Sequence, residues 1–252
     1  MRRYIYFVFL LCCAVNLLLT SCVRQKYVVM DMVHHNPGEA MTESKFLDPS
    51  FLKKNEYGAK VFFLFEAAQF GIDWKSFDPS LFPATTEAGR WVAEKAEIIH
   101  KKYDAAKKED LQVYCMLDML VLPSLLVEKH RTELTNEQGK LDISKPYTQL
   151  CIRELMKEMF ETFPQLDGLV IRTGETYLHD APYYVGNHPV QNGMYDHITL
   201  INLLREEVCE RRNKKLFYRT WDMGQLHSIP KYYLSVTDSI EPHPNLYFSS
   251  IP

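Results

Sequence analysis

The stretch Asp167-Gly168-Leu169-Val170-Ile171-Arg172-Thr173-Gly174-Glu175 decides the fold. A short apolar, β-branched run opened by glycine and closed by charged and turn-forming residues has the form of a strand buried on both faces, as in a parallel sheet. Before it, Ile152, Leu155, Met156, Met159, Phe160 and Phe163 recur at helical spacing, with Ser144 as the expected cap and Pro146 in the first turn. After it, Ile198, Ile201, Leu204 and Val208 form a second stripe, and Trp91, Ala96, Ile99, Tyr103 and Ala106 a third further upstream. Shorter helices are expected after Asp48-Pro49 and Ile229-Pro230.

Five more β-rich runs flank this unit: Tyr27–Met32, Val61–Phe65, Gln112–Leu117, Leu216–Arg219 and Leu246–Ser249. Strands alternating with helices imply βα units and a parallel sheet. No Gly-rich phosphate loop follows the first strand, which disfavours a nucleotide-binding doubly wound fold. The expected fold class is therefore an α/β, TIM-type (β/α) barrel. It is an incomplete one, with about six of the eight strands that a closed barrel needs. The last expected strand lies immediately before Ser250-Ile251-Pro252, so the chain is expected to be truncated before strand seven. A complete open sheet of six strands is the structural alternative.

The N-terminus carries a different message. Met1-Arg2-Arg3 is a basic start, and Tyr4 to Leu19 is almost unbroken apolar sequence. Such a layout marks a cleaved export signal. Leu19-Thr20-Ser21-Cys22 resembles a bacterial lipobox, which makes residues 1–21 a lipoprotein signal peptide, Cys22 the lipidation site and residues 22–252 one barrel-like domain. Several acyl chains on Cys22 would anchor the protein to a bacterial membrane, on its periplasmic or cell-surface side.

Composition narrows the partners. The 252 residues carry 29 basic and 32 acidic side chains, a formal net charge of −3, without a basic stripe for nucleic acid. Beyond Cys22 the exported part keeps Cys115, Cys151 and Cys209, which lack zinc-ligand spacing and make no disulfide framework. They are expected to be buried thiols. No cofactor and no metal are expected.

Active sites of (β/α) barrels lie at the C-terminal ends of the strands, and polar residues gather there. The first strand is followed by His34-His35-Asn36-Pro37-Gly38-Glu39, the second by Glu66, the third by Asp118, the fourth by Arg172 to Tyr177, and the fifth by Arg219-Thr220-Trp221-Asp222. Glu175 is the candidate catalytic acid, with Gly174 expected to let the backbone turn beneath it. Arg172 and Arg219 suit a sugar carboxylate, Trp221 a sugar ring, and Tyr177, Asp222, His34, His35, Glu66 and Asp118 complete the candidate substrate-binding set. Adjacent strand residues point to opposite faces, so His34 and His35 cannot easily share one ion.

These residues carry a resemblance. Asp167–Glu175, Phe217-Tyr218-Arg219-Thr220-Trp221-Asp222 and Asn245-Leu246-Tyr247-Phe248-Ser249 resemble the barrel of the α-glucuronidases of glycoside hydrolase family 67. Most of the exported chain also resembles barrel lipoproteins of gut-type Bacteroidetes, which carry segments like His34–Glu39. The resemblance implies a general acid at Glu175 and water-activating carboxylates beyond Pro252. This chain alone is then expected to be inactive. The segment Thr176–Pro182 departs from the Gly/Pro-rich run of the glucuronidases, and their N-terminal accessory domain is missing.

Three functions follow as expectations. One is a glycoside hydrolase acting on a complex glycan, with uronic acids as candidate sugars. The second is a carbohydrate-binding barrel without turnover. The third is a barrel metal hydrolase using His34 or His35 with Glu66 and Asp118. The first needs a carboxylate facing Glu175, about 5–5.5 Å away for retention or about 6.5–9.5 Å for inversion. Glu66, Asp118 and Asp222 are the candidates.

Overall fold

The computed structural model describes residues 29–31, 44–63, 66–178, 180–221 and 225–249. The signal segment, Cys22, His34, His35 and Asp222 lie outside the described residues.

Six parallel strands form the main sheet: β1 (Met30–Asp31), β2 (Ala59–Phe63), β3 (Gln112–Asp118), β5 (Gly168–Arg172), β7 (Lys215–Arg219) and β8 (Leu246–Ser249). They lie side by side in chain order, so the sheet has no point at which strand order reverses. A doubly wound sheet has such a point, with helices on both faces. Here the helices share one face. The larger core joins outward strand residues Phe62, Val113, Cys115, Leu117, Leu169 and Ile171 to helix residues. Among the latter are Ile99 and Tyr103 of the helix Glu87–Lys108, and Leu155, Met156 and Met159 of the helix Pro146–Thr162. The smaller cluster on the other face consists of strand residues Ala59, Val61, Phe63, Tyr114, Met116 and Val170, flanked by Met30, Tyr177 and Phe217. That one-sided arrangement is the wall of an incomplete (β/α) barrel, as the alternation of runs and stripes implies.

Gly168 at the start of β5 shows why glycine opens the deciding stretch. A Cβ there would stand 2.1 Å from the carbonyl oxygen of Lys215, so only glycine lets β5 and β7 approach. Local capping follows the sequence at Asp48, whose side chain accepts from Ser50 N ahead of Pro49. It differs at Ser144. The cap position of Pro146–Thr162 is Lys145, without a side-chain cap bond. Ser144 instead closes a turn on Asp142, its hydroxyl donating to Oδ1 at 2.7 Å.

One addition was not foreseen. After β3 the chain forms β4 (Val121–Pro123) and the short helices Ser124–Lys129 and Arg131–Leu134. The strand β6 (Tyr184–Gly186) pairs antiparallel with β4. These strands have three residues each, too short for a periodic signal, and positive φ at Leu120 (50°) sets the turn between β3 and β4. The two strands form a small sheet of their own, β4 following β3 and β6 following β5 along the chain. The three cysteines are free and buried as expected, and burial pushes the Cys115 and Cys151 thiols up to about 12.

Candidate active site

The inward faces of the strands are in register, and the register builds the site in layers. Phe63, Met116, Val170, Phe217 and Tyr247 form one layer across β2, β3, β5, β7 and β8. Two residues further along, the next layer contains Asp118, Arg172, Arg219 and Ser249. Apolar side chains thus fill the interior, and charged ones begin where the strands end.

Asp118 and Arg172 are register partners on adjacent strands, so their side chains meet on the same face. Asp118 Oδ2 accepts from Arg172 Nη2 at 2.6 Å, and Oδ1 accepts from Nε. Both residues are about 95 % buried, with 4 % and 5 % exposure. The guanidinium lies between two rings, its carbon 4.8 Å from the Phe63 centroid and 4.5 Å from that of Tyr177. Asp118 Oδ2 also accepts the Tyr177 backbone N–H at 2.8 Å. Three donors on one carboxylate make Asp118 an anchor and leave it poorly suited to activating water.

Glu175 stands above this clamp with its side chain 39 % exposed. Its Oε2 accepts from Tyr177 OH at 2.9 Å and lies 3.5 Å from Arg172 Nη1. The hydrogen bond to Glu175, then burial, holds the Tyr177 hydroxyl above its ordinary titration range, so it remains a donor. Asp118 therefore fixes both groups that flank Glu175: Arg172 through its side chain and Tyr177 through its backbone. Next to them the Thr176 hydroxyl is buried without a hydrogen-bond partner.

Gly174 sits at a bend of the backbone, and its missing side chain also makes room. It is absent from the residues with positive φ, and a Cβ on it would lie 3.0 Å from Trp221 Cδ1. The indole of Trp221 rests on that bare backbone, and its ring is 4.6 Å from that of His227. Trp221 thereby packs against the residue that precedes Glu175 in the chain.

Arg219 differs from Arg172. Its register partner is Ser249, and among the described residues its guanidinium has no carboxylate partner; Nη1 lies 3.7 Å from Met116 Sδ. Burial first, then the like charge of Arg172, pulls it below the ordinary arginine range. Among the described residues this half-buried cation therefore keeps guanidinium donors that no carboxylate takes.

Several sequence candidates fall elsewhere. Glu66 turns toward the helix Glu87–Lys108 and pairs with Lys102, away from the Asp118–Arg172 clamp. The Nε–Nη2 edge of Arg172 is taken by Asp118, which leaves Nη1, on the Glu175 side, for any further acceptor. Glu66 and Asp118 have separate partners, so they do not form half of a metal site, and among the described residues no cluster of three or more metal-ligating side chains occurs. The Phe63 platform was missed by sequence reasoning. The Asp118–Arg172 pair was visible in principle, since both end their strands and the strands are consecutive in the sheet.

The chain matches no protein-family model and no curated protein. Among solved structures it is similar to a glycoside hydrolase family 138 enzyme targeting pectin rhamnogalacturonan II, with 17 % identity and a TM-score of 0.46 over 82 % of this chain and 21 % of that one. It is also similar to a maltogenic α-amylase from Thermotoga neapolitana, at 14 % identity and a TM-score of 0.43 over 82 % of this chain and 46 % of that one. Dispersin B gives 14 % identity and a TM-score of 0.46 over 88 % of this chain and 63 % of its own. The chain thus spans about a fifth to under two thirds of the length of these structures. Its likeness is to partial (β/α) barrels of glycoside hydrolases.

Proposed function

We propose that this chain is an exported, lipid-anchored barrel domain of glycoside-hydrolase type, whose mouth holds a glycan bearing an anionic group. The observation that carries the reading is the contrast within one layer: Arg172 is neutralised by Asp118, while Arg219 has only Ser249 as its register partner. A uronic acid carboxylate satisfies Arg219, and Trp221 offers a ring face beside it. Glu175, exposed and oriented by Tyr177, is the general acid that protonates the leaving oxygen.

The mechanism asks two things of these residues. Glu175 must present Oε1 or Oε2 to the glycosidic oxygen and give up a proton as the bond breaks. A second carboxylate must activate water or attack carbon. Asp118 is committed to three donors and Glu66 to Lys102, so Asp222 is the remaining candidate of the three. The clamped Asp118 also favours a second reading, glycan binding without turnover.

The test is the effect of Glu175→Gln, in a protein that carries the complete barrel, on glucuronides with graded leaving groups. Poor leaving groups should lose roughly 10²–10⁴-fold in turnover, and nitrophenyl glucuronides far less, because they need little protonation. Equal losses on both would remove the acid assignment. Glucuronide binding with no turnover in the complete wild-type barrel would establish the second reading.

A further inference from the structure

A hollow of about 350 Å³ lies between the loop that precedes the helix Glu87–Lys108, the helix Ser124–Lys129 and the segment before β6. It shares no lining residue with the Asp118–Arg172–Glu175 group. Leu81, Phe82, Pro83 and Tyr183 give it apolar walls, and Ser124 and Glu128 bring polar groups to one side.

The walls are tied together without a ligand. Ser124 N donates to Tyr183 O at 2.8 Å, which joins the helix to the segment before β6. Lys129 pairs with Asp78 at 2.8 Å, and Asp78 also accepts the Ser80 hydroxyl at 2.6 Å, which joins the same helix to the loop. The Thr86 hydroxyl donates to Pro83 O at 2.7 Å while accepting from Gly89 N at 3.0 Å, so the loop is fastened to the helix that follows. The Tyr183 ring stands edge-on to Trp91 with centroids 5.8 Å apart. A hollow with walls held this way needs little ordering when it is filled.

Its polar groups are different, because they are uncommitted. Ser124 and Glu128 are four residues apart on one short helix, so they face the same side. Neither the Ser124 hydroxyl nor the Glu128 carboxylate makes a hydrogen bond with any described residue. An apolar, mostly pre-formed hollow with a few convergent polar groups is the usual form of a small-molecule site. The volume suits a single six-membered ring with its substituents. A carboxylate is an acceptor only and can take two hydroxyl donors, and prolines and aromatic rings suit the C–H face of a sugar. Glu128 is exposed, so its charge is screened by salt and holds a simple cation weakly.

We propose that this hollow is a second binding site that takes one pyranose ring of a glycan, with Glu128 and Ser124 receiving its hydroxyls. The site extends the protein's grip on a polymer beyond the mouth and does not depend on Glu175 or Arg219.

Saturation-transfer NMR of the full chain tests this with methyl glucoside, methyl galactoside, methyl mannoside and methyl xyloside as probes, and with benzyltrimethylammonium as the cationic comparison. At least one glycoside should bind the wild type. The double variant Ser124→Ala/Glu128→Gln should bind it about ten-fold more weakly. Ala88→Phe, which fills the hollow from its wall, should weaken binding at least as much as the double variant while circular dichroism shows the fold retained. The loss on Ala88→Phe should be the same in the wild-type and Arg219→Ala backgrounds, so the result stands apart from the fate of the proposed function. The proposal is overturned if none of the four glycosides binds, if the cation binds in their place, if Ala88→Phe binds as the wild type does, or if the loss on Ala88→Phe vanishes in the Arg219→Ala background.

Discussion

The seam between β3 and β5 and the seam between β7 and β8 end in the same way, with an arginine facing inward in the same layer. What lies opposite each arginine in register decides its role. Across from Arg172 is Asp118, and the result is a buried ion pair gripped between the rings of Phe63 and Tyr177. Across from Arg219 is Ser249, which carries no charge, and the result is a half-buried cation without a carboxylate partner among the described residues. The layer below repeats the contrast in apolar form. Met116 and Val170 are packed away in the first seam, while Phe217 and Tyr247 stack at 4.8 Å in the second, with Tyr247 39 % exposed. One seam satisfies its arginine from within the sheet, and the other, among the described residues, does not. Residue type alone does not distinguish them; register does.

The largest expected effect comes from breaking the first seam. Asp118→Ala leaves Arg172 buried without its partner and releases the Tyr177 N–H, and should cost about 3–5 kcal/mol in urea unfolding. The corresponding change in the second seam, Arg219→Ala, removes no ion pair and should cost about 1 kcal/mol or less. Similar losses in the two variants would erase the distinction.

A smaller change can turn one seam into the other. Ser249→Asp places a carboxylate in register with Arg219, as Asp118 is with Arg172. It should weaken binding of methyl glucuronide about ten-fold or more, measured by calorimetry, because the new side chain takes the donors that the ligand needs. Stability should change by only about 1 kcal/mol, since the mouth is partly solvated. Undiminished binding would mean that Arg219 does not hold the anion.

The smallest effect tests the link between clamp and acid. Tyr177→Phe removes one hydrogen bond to Glu175 and should cost about 1 kcal/mol. The sign with pH is set by the raised tyrosine. Its contribution is fully present below the ordinary tyrosine range and is lost as pH rises through the higher folded value. In Glu175→Gln the hydroxyl should titrate nearer its ordinary value, followed by carbon-13 NMR of the tyrosine ring carbon bearing oxygen. A Tyr177 titration unchanged by Glu175→Gln would separate the two residues.

Much of the architecture was legible because burial imposes period. Leu169 and Ile171 of the run Gly168–Ile171 fill the same core as the stripe Ile152–Met159, and each segment shows the spacing of its element. The pairing of β4 with β6 was not legible, because three residues per strand are too few to show alternation. At the site, the sequence pointed to Glu175, Arg172, Tyr177, Arg219, Trp221 and Asp118 as rim residues. It did not divide them into partners and free groups. In the structure Asp118 accepts three donors, and the Nε–Nη2 edge of Arg172 is filled by Asp118. Gly174 reads in sequence as a turn, and the backbone bends there, but the contact of its bare Cα with the ring of Trp221 is not legible. These distinctions depend on contacts across the sheet, which no local pattern encodes.

The central claim is that the mouth is built for a glycan with a negative charge and that Arg219 receives it. Calorimetric titration of methyl glucuronide and methyl glucoside into the wild type and Arg219→Ala tests it most directly. The wild type should bind the glucuronide about ten-fold or more tightly than the glucoside, with the preference fading as salt is raised. Arg219→Ala should remove the preference while the protein unfolds at nearly the same urea concentration. Equal binding of both sugars by the wild type, or a preference that survives Arg219→Ala, would contradict the account.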